Sequence, residues 1–355
     1  MVPPLELTLE ITPRARLDVT DVRARVASLH GDAFDRYANC LYCSLHTTAG
    51  YLPQSLAARL SARPDAIGPY IDVFRKMFPE GAGYRHDDLD DRTDLTPVQR
   101  PVEPTNADSH LAFIAGGLHA CVSYANRRPG PVSFIDLDGV YEGTPRRRVT
   151  RLVGYDTEVE VARTTLDVPV SSHPIDAINL KAPKFGLYEQ LARFIEQHEV
   201  SKGRIRLKLG PGEQYASLTV NEYETLLMRH DLAEVLRNPL RFAAEKARHA
   251  WSDPRTVPLK AVEYAKYDFV RALNQLMDTL GLGSSPLEGL LARALAVPAS
   301  RFLRMKRSVD LLVSDLDRPG RGAVVEGTYQ APIMVQWRGT TRGARAVDVV
   351  LTRFE

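Results

Sequence analysis

Three histidines in the first third of the chain stand in polar contexts that suit metal ligands. His46 ends the alternating run "CLYCSLH", His86 lies in the acidic segment "GYRHDDLDDRTDL", and His110 opens an apolar run in "EPTNADSHLAFIAGG". Three neutral imidazoles from separate elements, with one coordination position open, form a common catalytic metal site. The pattern therefore predicts a divalent metal centre at His46, His86 and His110.

Charged residues beside these histidines could take part in the chemistry of such a centre. Asp88 and Asp108 are candidates for a general base, and Arg85 is a candidate for stabilising a departing phosphate. Imidazole ligands favour zinc as the cofactor, with iron, nickel or manganese as alternatives. A simpler interpretation stays open, because each histidine can have a purely structural role and Asp108 can cap a helix.

Other catalytic classes lack their motifs in this sequence. It contains no G-x-x-x-x-G-K-[ST] phosphate loop, no Rossmann glycine pattern, no H-E-x-x-H and no G-x-S-x-G. Cys43 and His46 lie three residues apart on an alternating strand, so their side chains should point to opposite faces. This spacing argues against a cysteine–histidine nucleophile.

The sequence pattern predicts that the elements that position these residues occur twice in the chain. "LTLEITPRARLDVTDV" at 7–22 resembles "TTLDVPVSSHPIDAIN" at 164–179, and His46 corresponds to Glu213 in the second copy. We therefore predict an α+β fold of two units, at 1–158 and 159–355, built on antiparallel or mixed sheets with flanking helices. The second unit would carry a helical insertion at about 240–305.

Composition restricts the partners and the compartment. The chain has 355 residues and a net charge of +2, and 44% of its residues are hydrophobic. A balanced charge and the lack of a long apolar run predict no nucleic-acid partner and no membrane association. The N-terminal "MVPPLELTLEI" lacks the pattern of a secretory signal, so we expect a cytoplasmic protein with a small-molecule substrate.

The motifs around the histidines resemble those of the YjbQ-like family, also called the secondary thiamine-phosphate synthase family. Its members carry His-Thr-[Ser/Thr]-Ala, Tyr-x-His, an Asn-x-[Asp]-Ala-His helix start, and Gly-Thr-Trp-Gln. This chain has "HTTAG" at 46–50, "YRH" at 84–86 and "NADSH" at 106–110, while "GTYQ" at 327–330 occurs only in the second copy. The resemblance implies substrate contacts from the motif residues Thr47, Thr48, Tyr84, Asn106, Thr328 and Gln330.

The same resemblance implies a reaction and an assembly. Family activity joins a pyrimidine diphosphate to a thiazole phosphate with loss of pyrophosphate, and members usually form trimers. We therefore expect a metal-dependent enzyme acting on a small phosphorylated or heterocyclic substrate, assembled as a trimer-based or pseudo-hexameric homo-oligomer. The second copy, which lacks the histidines, would supply a scaffold and pocket wall or would simply be degenerate.

Three alternatives to this function stay open. One is a metal-dependent hydrolase of phosphoesters or amides, and another is a tailoring enzyme of secondary metabolism. The third is a non-catalytic ligand-binding or assembly protein in which the histidines stabilise the fold.

Overall fold

The computed structural model describes residues 2–60, 64–127, 130–237, 242, 245–246 and 306–355. Nearly all of the predicted helical insertion at about 240–305 lies outside the described residues. Within these ranges, no helix combines the length and hydropathy that crossing a membrane requires.

The first half of the chain alternates strands with helices. Its strands are β1 Leu5–Ile11, β2 Asp18–Asp21, β3 Asn39–Ser44, β4 Ala49–Tyr51, β5 Cys121–Ala125, β6 Ser133–Asp136, β7 Val140–Tyr141, β8 Thr144–Pro145 and β9 Arg148–Tyr155. Its helices are α1 Val22–His30, α2 Gln54–Arg59, α3 Pro64–Met77 and α4 Ala107–Ala115, with a 3₁₀ turn at Arg100–Val102.

The second half repeats this alternation. Its strands are β10 Glu158–Pro169, β11 Asp176–Asn179, β12 Gly203–Leu209, β13 Ala216–Glu222, β14 Ser308–Ser314, β15 Ala323–Val325, β16 Gln330–Gln336 and β17 Ala344–Phe354. Its described helices are α5 Leu187–Gln197 and α6 Leu232–Arg237, with a 3₁₀ turn at Pro183–Phe185 and a π-helical turn at Leu227–Asp231.

The two halves share one strand order. The first half forms the sheets β1-β9-β3-β5 and β2-β6-β4, and the second forms β10-β17-β12-β14 and β11-β16-β13. β15 extends the larger sheet of the second half at its edge. All of these pairs are antiparallel, which confirms the α+β class, and the shared order is what a tandem duplication produces.

The strand registers align the two copies residue by residue. Ala49 pairs with Asp136 in the first copy, and Ala216 pairs with Gln336 in the second. Asp136 therefore corresponds to Gln336. The "GTYQ" segment at 327–330 comes before this position, at the start of β16.

Alternating burial explains why these segments form half-buried strands. In β12, Ile205, Leu207 and Leu209 are fully buried, while Lys208 between the last two is exposed. Helix α5 buries residues four apart, at Leu187, Leu191 and Ile195, in the same core cluster. One apolar helix stripe and one apolar sheet face thus form the main core of this half.

The chain divides into two compact units that do not follow the sequence halves. The first comprises the described residues of Met1–Ala58, Leu118–Tyr223 and Lys306–Glu355, and the second those of Arg59–Gly117 and Glu224–Met305. The second unit is therefore built from the connections β4–β5 and β13–β14, which are equivalent positions of the two copies. The predicted boundary at 158/159 falls where β9 is followed by β10.

Candidate functional site

The predicted site residues fall into both compact units, which are described in turn. The second unit holds Tyr84, Arg85, His86, Asp88, Asn106, Asp108 and His110. The first unit holds His46, Thr47, Thr48, Thr328 and Gln330.

Two of the three predicted metal ligands lie beside each other in the second unit. The ring centroids of His86 and His110 are 5.3 Å apart, with an angle of 52° between the ring planes. Both side chains are almost fully buried, at 0% and 1% exposed. The structure thus places two of the three predicted imidazoles together, from positions 24 residues apart in the chain, and the three-histidine metal site stays a prediction.

Helix α4 positions His110 by burial on all sides. Every residue from Ala107 to Ala115 is buried, so the helix has no solvent face along which it could shift. Asn106 is the N-cap residue, and the Ala107 N–H donates to Asp87 Oδ1 at 3.0 Å. An acidic side chain at this end also complements the helix dipole. The start of α4, and with it His110, is therefore fixed against the loop that carries His86.

Backbone hydrogen bonds to one buried carboxylate position His86. Asp231 accepts from the Arg85 N–H at 3.1 Å and from the His86 N–H at 3.0 Å. Burial raises the pKa of Asp231, and the two backbone hydrogen bonds oppose that rise. Asp231 lies about 145 residues away along the chain, and no sequence motif marked it.

The two ring nitrogens of His86 have different partners. Nδ1 lies 3.0 Å from Asp87 Oδ1, and because a carboxylate only accepts, Nδ1 carries the proton. Nε2 then carries no proton, and its lone pair faces Arg92 Nη1 at 3.3 Å. A carboxylate on one imidazole nitrogen with a lone pair on the other is the usual arrangement of a metal-binding histidine.

Arg92 is buried and is paired on both sides of its guanidinium. It donates to Asp94 at 2.7 and 3.2 Å and to Glu103 at 3.0 Å. Its exposed fraction is 1%, so it is a structural cation of the loop between α3 and α4. Its hydrogen bonds to Asp94 and Glu103 do not depend on its contact with His86.

The remaining predicted residues of this unit differ in exposure. Arg85 and Asp88 are 53% and 47% exposed and form a long ion pair at 3.8 Å. Asp108 is buried in the first turn of α4. The Tyr84 hydroxyl donates to the Pro79 carbonyl at 3.0 Å. Burial, together with Asp108, Asp87 and Asp231, raises the pKa of Tyr84, so its hydroxyl stays protonated as a donor.

His46, in the first unit, is a neutral imidazole with one nitrogen engaged. Its Nε2 accepts the Val149 N–H at 2.7 Å, so Nδ1 carries the proton. Burial and the nearby Arg148 and Arg146 lower the pKa of His46 to about 3. To bind a metal, His46 must give up this hydrogen bond or lose the Nδ1 proton. Its place in the ligand set stays a prediction.

A buried ion pair supports the "HTTAG" turn that follows His46. Arg148 donates to both carboxylate oxygens of Asp136 at 2.7 and 2.9 Å and to the Asp138 carbonyl. The Thr48 hydroxyl lies 3.5 Å from Arg148 Nη2, and the Thr48 carbonyl accepts the Leu137 N–H. This side of the turn is thus occupied by structural contacts.

The "GTYQ" segment of the second copy contacts the "HTTAG" turn of the first. The Gln330 side-chain amide donates to the Ser44 carbonyl at 3.1 Å and to the His46 carbonyl at 2.8 Å. A Cβ atom on Gly327 would lie 1.9 Å from the Leu45 carbonyl oxygen, so only glycine fits there. Gln330 therefore joins the two copies, while Thr328 is exposed.

The second copy keeps the hydrogen-bond pattern of the first with different residues. Glu213, at the position of His46, accepts the Ala346 N–H at 2.9 Å and an Arg345 hydrogen bond at 2.8 Å. Arg345 also donates to the Arg338 carbonyl, as Arg148 does to that of Asp138. The match of His46 to Glu213, made from sequence, agrees with these contacts.

Comparisons with known proteins add a resemblance in fold. No family model and no curated protein sequence matches this chain. A YbjQ-like protein of unknown function from Sulfolobus solfataricus matches with 15% identity and a TM-score of 0.30, covering 56% of this chain and 99% of that one. A hypothetical protein from Aeropyrum pernix has 14% identity, a TM-score of 0.29, and 54% and 98% coverage.

A third solved structure, an uncharacterised YjbQ/UPF0047-family protein from Clostridium acetobutylicum, has 14% identity and a TM-score of 0.27. The match covers 54% of this chain and 99% of the Clostridium chain. Each of these three matches spans about half of this chain.

Proposed function

We propose that this protein is a divalent-metal-dependent enzyme that acts on a small phosphorylated or heterocyclic substrate. The observation that supports the proposal is the pair of buried imidazoles of His86 and His110, with ring centroids 5.3 Å apart. Buried polar rings are seldom placed together without a shared partner, and a metal ion is the partner that two neutral imidazoles suit.

The separation of the two rings fits a shared ion. Zinc binds imidazole nitrogen at about 2.0–2.1 Å, and at a tetrahedral angle two such rings have centroids about 5 Å apart. The carboxylate of Asp87 on His86 Nδ1 leaves Nε2 as the ligand atom. His86 would release its contact with Arg92, and Arg92 would keep Asp94 and Glu103.

Zinc is the ion we propose, with iron, nickel or manganese as alternatives that imidazole also binds. His46 is proposed as the third ligand from the sequence alone. When bound, such an ion would supply Lewis-acid stabilisation of negative charge on a phosphoryl or carbonyl oxygen.

The residues of the second unit have distinct proposed roles. Asp87 holds the His86 ring by accepting a hydrogen bond from its Nδ1–H. The buried Asp108 is the proposed proton-transfer group. Arg85 is exposed and can reach a phosphate in solution. Asp88 is less suited to general-base catalysis, since it is exposed and lies near Arg85.

Substrate contacts are proposed for Thr47, Thr48, Tyr84, Asn106, Thr328 and Gln330. Tyr84 would have to give up its hydrogen bond to the Pro79 carbonyl in order to donate to a substrate, and its raised pKa keeps that hydroxyl protonated. Gln330 would act indirectly, since both of its amide hydrogens are used by carbonyls of the "HTTAG" strand end.

The proposed reaction is transfer with loss of pyrophosphate, as the family resemblance implies, with phosphoester or amide hydrolysis as the alternative. We also propose a cytoplasmic protein that forms trimer-based or pseudo-hexameric homo-oligomers. A particle mass near three or six times the chain mass of 39.5 kDa in light scattering would support the assembly.

One observation favours a second, non-catalytic function. The hydrogen bond from Arg92 to His86 Nε2 occupies the lone pair that a metal would use. In that case the two histidines belong to a polar network that stabilises the loop between α3 and α4.

An activity assay with matched variants separates the two functions. Purified protein is incubated with a pyrimidine diphosphate and a thiazole phosphate, and with simple phosphate esters, with and without a chelator. If the protein is a metal-dependent enzyme, the wild type should release phosphate or pyrophosphate. The chelator and the His110→Ala substitution should each abolish this release, whereas His230→Ala, a control at an exposed position, should retain it. The structural role is supported if the wild type shows no metal-dependent turnover and His110→Ala lowers the melting temperature by several degrees.

A further inference from the structure

A cavity of about 330 Å³ lies where the two sequence copies meet within the first unit. Leu45 and Arg151 come from the first copy, and Ser314, Arg318, Val324 and Glu326 from the second. The cavity adjoins a larger groove of about 900 Å³ beside α5, and the two share the segment from Arg318 to Glu326. Volumes of this size are typical of small-molecule sites.

Arg151 is a buried cation with unused donors at this cavity. It is 8% exposed, and its Nη2 donates to both oxygens of Asp317 at 2.9 and 2.7 Å. Among the described residues its Nε and Nη1 make no hydrogen bond, and Nη1 has only a long ion pair with Glu6 at 3.5 Å. Because Nε and Nη1 are buried from solvent, an anion would contact this guanidinium at Nη2, in place of the 73% exposed Asp317.

Arg318 adds a second cation, from an ordered turn. Within the described part of the chain its guanidinium forms no hydrogen bond or ion pair. The turn itself is fixed, because the Arg318 N–H donates to the Asp315 carbonyl and the Arg321 N–H to that of Arg318. A Cβ on Gly322 would lie 2.0 Å from the Val200 carbonyl oxygen, which holds the following residue closely in place.

The carboxylates at the cavity already have cations. Glu326 pairs with Lys181 and accepts the Tyr188 hydroxyl at 2.5 Å, and Asp317 is held by Arg151. Their negative charge is therefore largely neutralised, and it does not exclude an anion. Leu45, Val324 and Val325 supply an apolar wall beside the two arginines.

We propose that this cavity binds a small organic anion. Its phosphate or carboxylate group would lie against Arg151 and Arg318, and its apolar part against Leu45 and Val324. The site is distinct from the histidine pair and does not depend on a metal. It requires both copies of the repeat, because neither copy alone supplies both arginines.

Isothermal titration calorimetry on the full-length chain, without added metal, tests this site with four probes. Phenyl phosphate, benzoate and inorganic phosphate carry an anionic group, whereas phenol carries only the ring. The proposal expects saturable binding of phenyl phosphate, of benzoate or of both, and at least tenfold weaker binding of phenol and of inorganic phosphate. A preference between the two aromatic anions identifies the anionic group that the site selects.

Three variants locate the binding. Arg318→Gln removes an unpaired exposed cation and should weaken the binding of the aromatic anion about tenfold. Ala323→Trp fills the cavity without removing a charge and should abolish binding. Arg163→Gln is the control, an exposed arginine on β10 at the opposite edge of the five-stranded sheet, and should bind as the wild type does.

The proposal is overturned if neither aromatic anion binds the wild type, or if phenol binds as tightly as they do. It is equally overturned if Arg318→Gln and Ala323→Trp both leave the affinity unchanged. Because the Arg318 guanidinium forms no hydrogen bond or ion pair among the described residues, its variant should fold even if the bulky substitution at Ala323 does not.

Discussion

His86 and His110 are held by different kinds of contact. His110 is fixed by burial of the whole of α4, whereas His86 depends on hydrogen bonds from its ring and its backbone to Asp87 and Asp231. Substitutions of the supporting carboxylates should therefore act on His86 without altering the helix. That difference makes Asp87 the residue with which to test how the ligand is oriented.

We expect Asp87→Asn to weaken zinc binding about tenfold or more, because the charge that orients and polarises the His86 ring is lost. The amide oxygen can still accept the Ala107 N–H, so the fold should be retained. Competition titration against a chromophoric chelator measures the affinity.

Asp88→Asn is the matched control, since Asp88 is exposed and next in sequence. Equal affinity of Asp87→Asn and the wild type would show that Asp87 does not support a metal ligand.

The pKa of His46 predicts a pH-dependent loss of stability. In the folded state this pKa is about 3, against an ordinary value near 6.5, so between these values the unfolded chain binds more protons. Stability should therefore fall as the pH decreases from 6.5 toward 3, by at most about 1.4 kcal/mol per pH unit from this group. His46→Gln keeps an acceptor for the Val149 N–H and should remove this component.

Urea unfolding of wild type and His46→Gln from pH 7 to pH 5, with a chelator present, measures the difference. The exposed His30→Gln serves as the control. Parallel stability curves for wild type and His46→Gln would contradict the assigned protonation state.

Residue types and local motifs predicted a site at His46, His86 and His110, and the structure places His86 beside His110. Their supports could not be predicted. Asp231 lies about 145 residues from His86, and no motif marks the ion pairs of Arg92 with Asp94 and Glu103. Long-range polar contacts leave no periodic signal in a sequence.

At the scale of elements, the contact between the "GTYQ" segment and the "HTTAG" turn depends on close backbone approach. Gly327 lies directly against the Leu45 carbonyl, and Gln330 bonds the carbonyls on either side of it. The two copies are thus joined by the close approach of Gly327 to a backbone carbonyl and by hydrogen bonds from the Gln330 side chain to two others.

We expect Gly327→Ala to destabilise the protein by about 1–3 kcal/mol, because the new methyl group would overlap a carbonyl oxygen that is part of the β3 end. Chemical denaturation measures the change in unfolding free energy.

Gly212→Ala is the control, since a Cβ there meets no atom within 4 Å, and it should change stability by less than about 0.5 kcal/mol. A Gly327→Ala protein as stable as that control would mean that the segments are not in contact.

Element types were largely predictable from sequence. The alternating run "AVDVVLTRF" forms β17, and the helical spacing of "EQLARFIEQH" matches α5. The alignment of the two copies around Asp136 could not be predicted from sequence, because the short edge strand β15 has no counterpart in the first copy.

At the scale of the molecule, the two copies share a core in the first unit. Leu41, Cys43 and Tyr155 of the first copy cluster with Leu312 and Phe354 of the second. The rings of Tyr155 and Phe354 stack with centroids 4.0 Å apart and an interplanar angle of 11°. Neither copy has a complete core in this region without the other.

Phe354→Ala should therefore cost about 3–5 kcal/mol of unfolding free energy, because it leaves a cavity between the copies. The expected denaturation curve remains a single transition at lower denaturant, monitored by circular dichroism.

Val159→Ala, at a largely exposed apolar position, should be nearly neutral and serves as the control. A Phe354→Ala protein as stable as Val159→Ala would contradict a shared core.

The division of the chain into these two compact units could not be predicted from the sequence, because it depends on which connections associate. A repeat predicts two successive domains, but here the equivalent β4–β5 and β13–β14 connections together form the second unit. Sequence similarity shows which segments correspond, and it does not show which corresponding segments associate.

The metal content of the purified protein tests the central claim most directly. After purification without chelators and equilibration with zinc, elemental analysis should find about one ion per chain in the wild type and in His230→Ala. His86→Ala and His110→Ala should have lost it, and His46→Ala decides whether that residue is a ligand. A wild type without metal, or both His86→Ala and His110→Ala with full occupancy, would contradict the account.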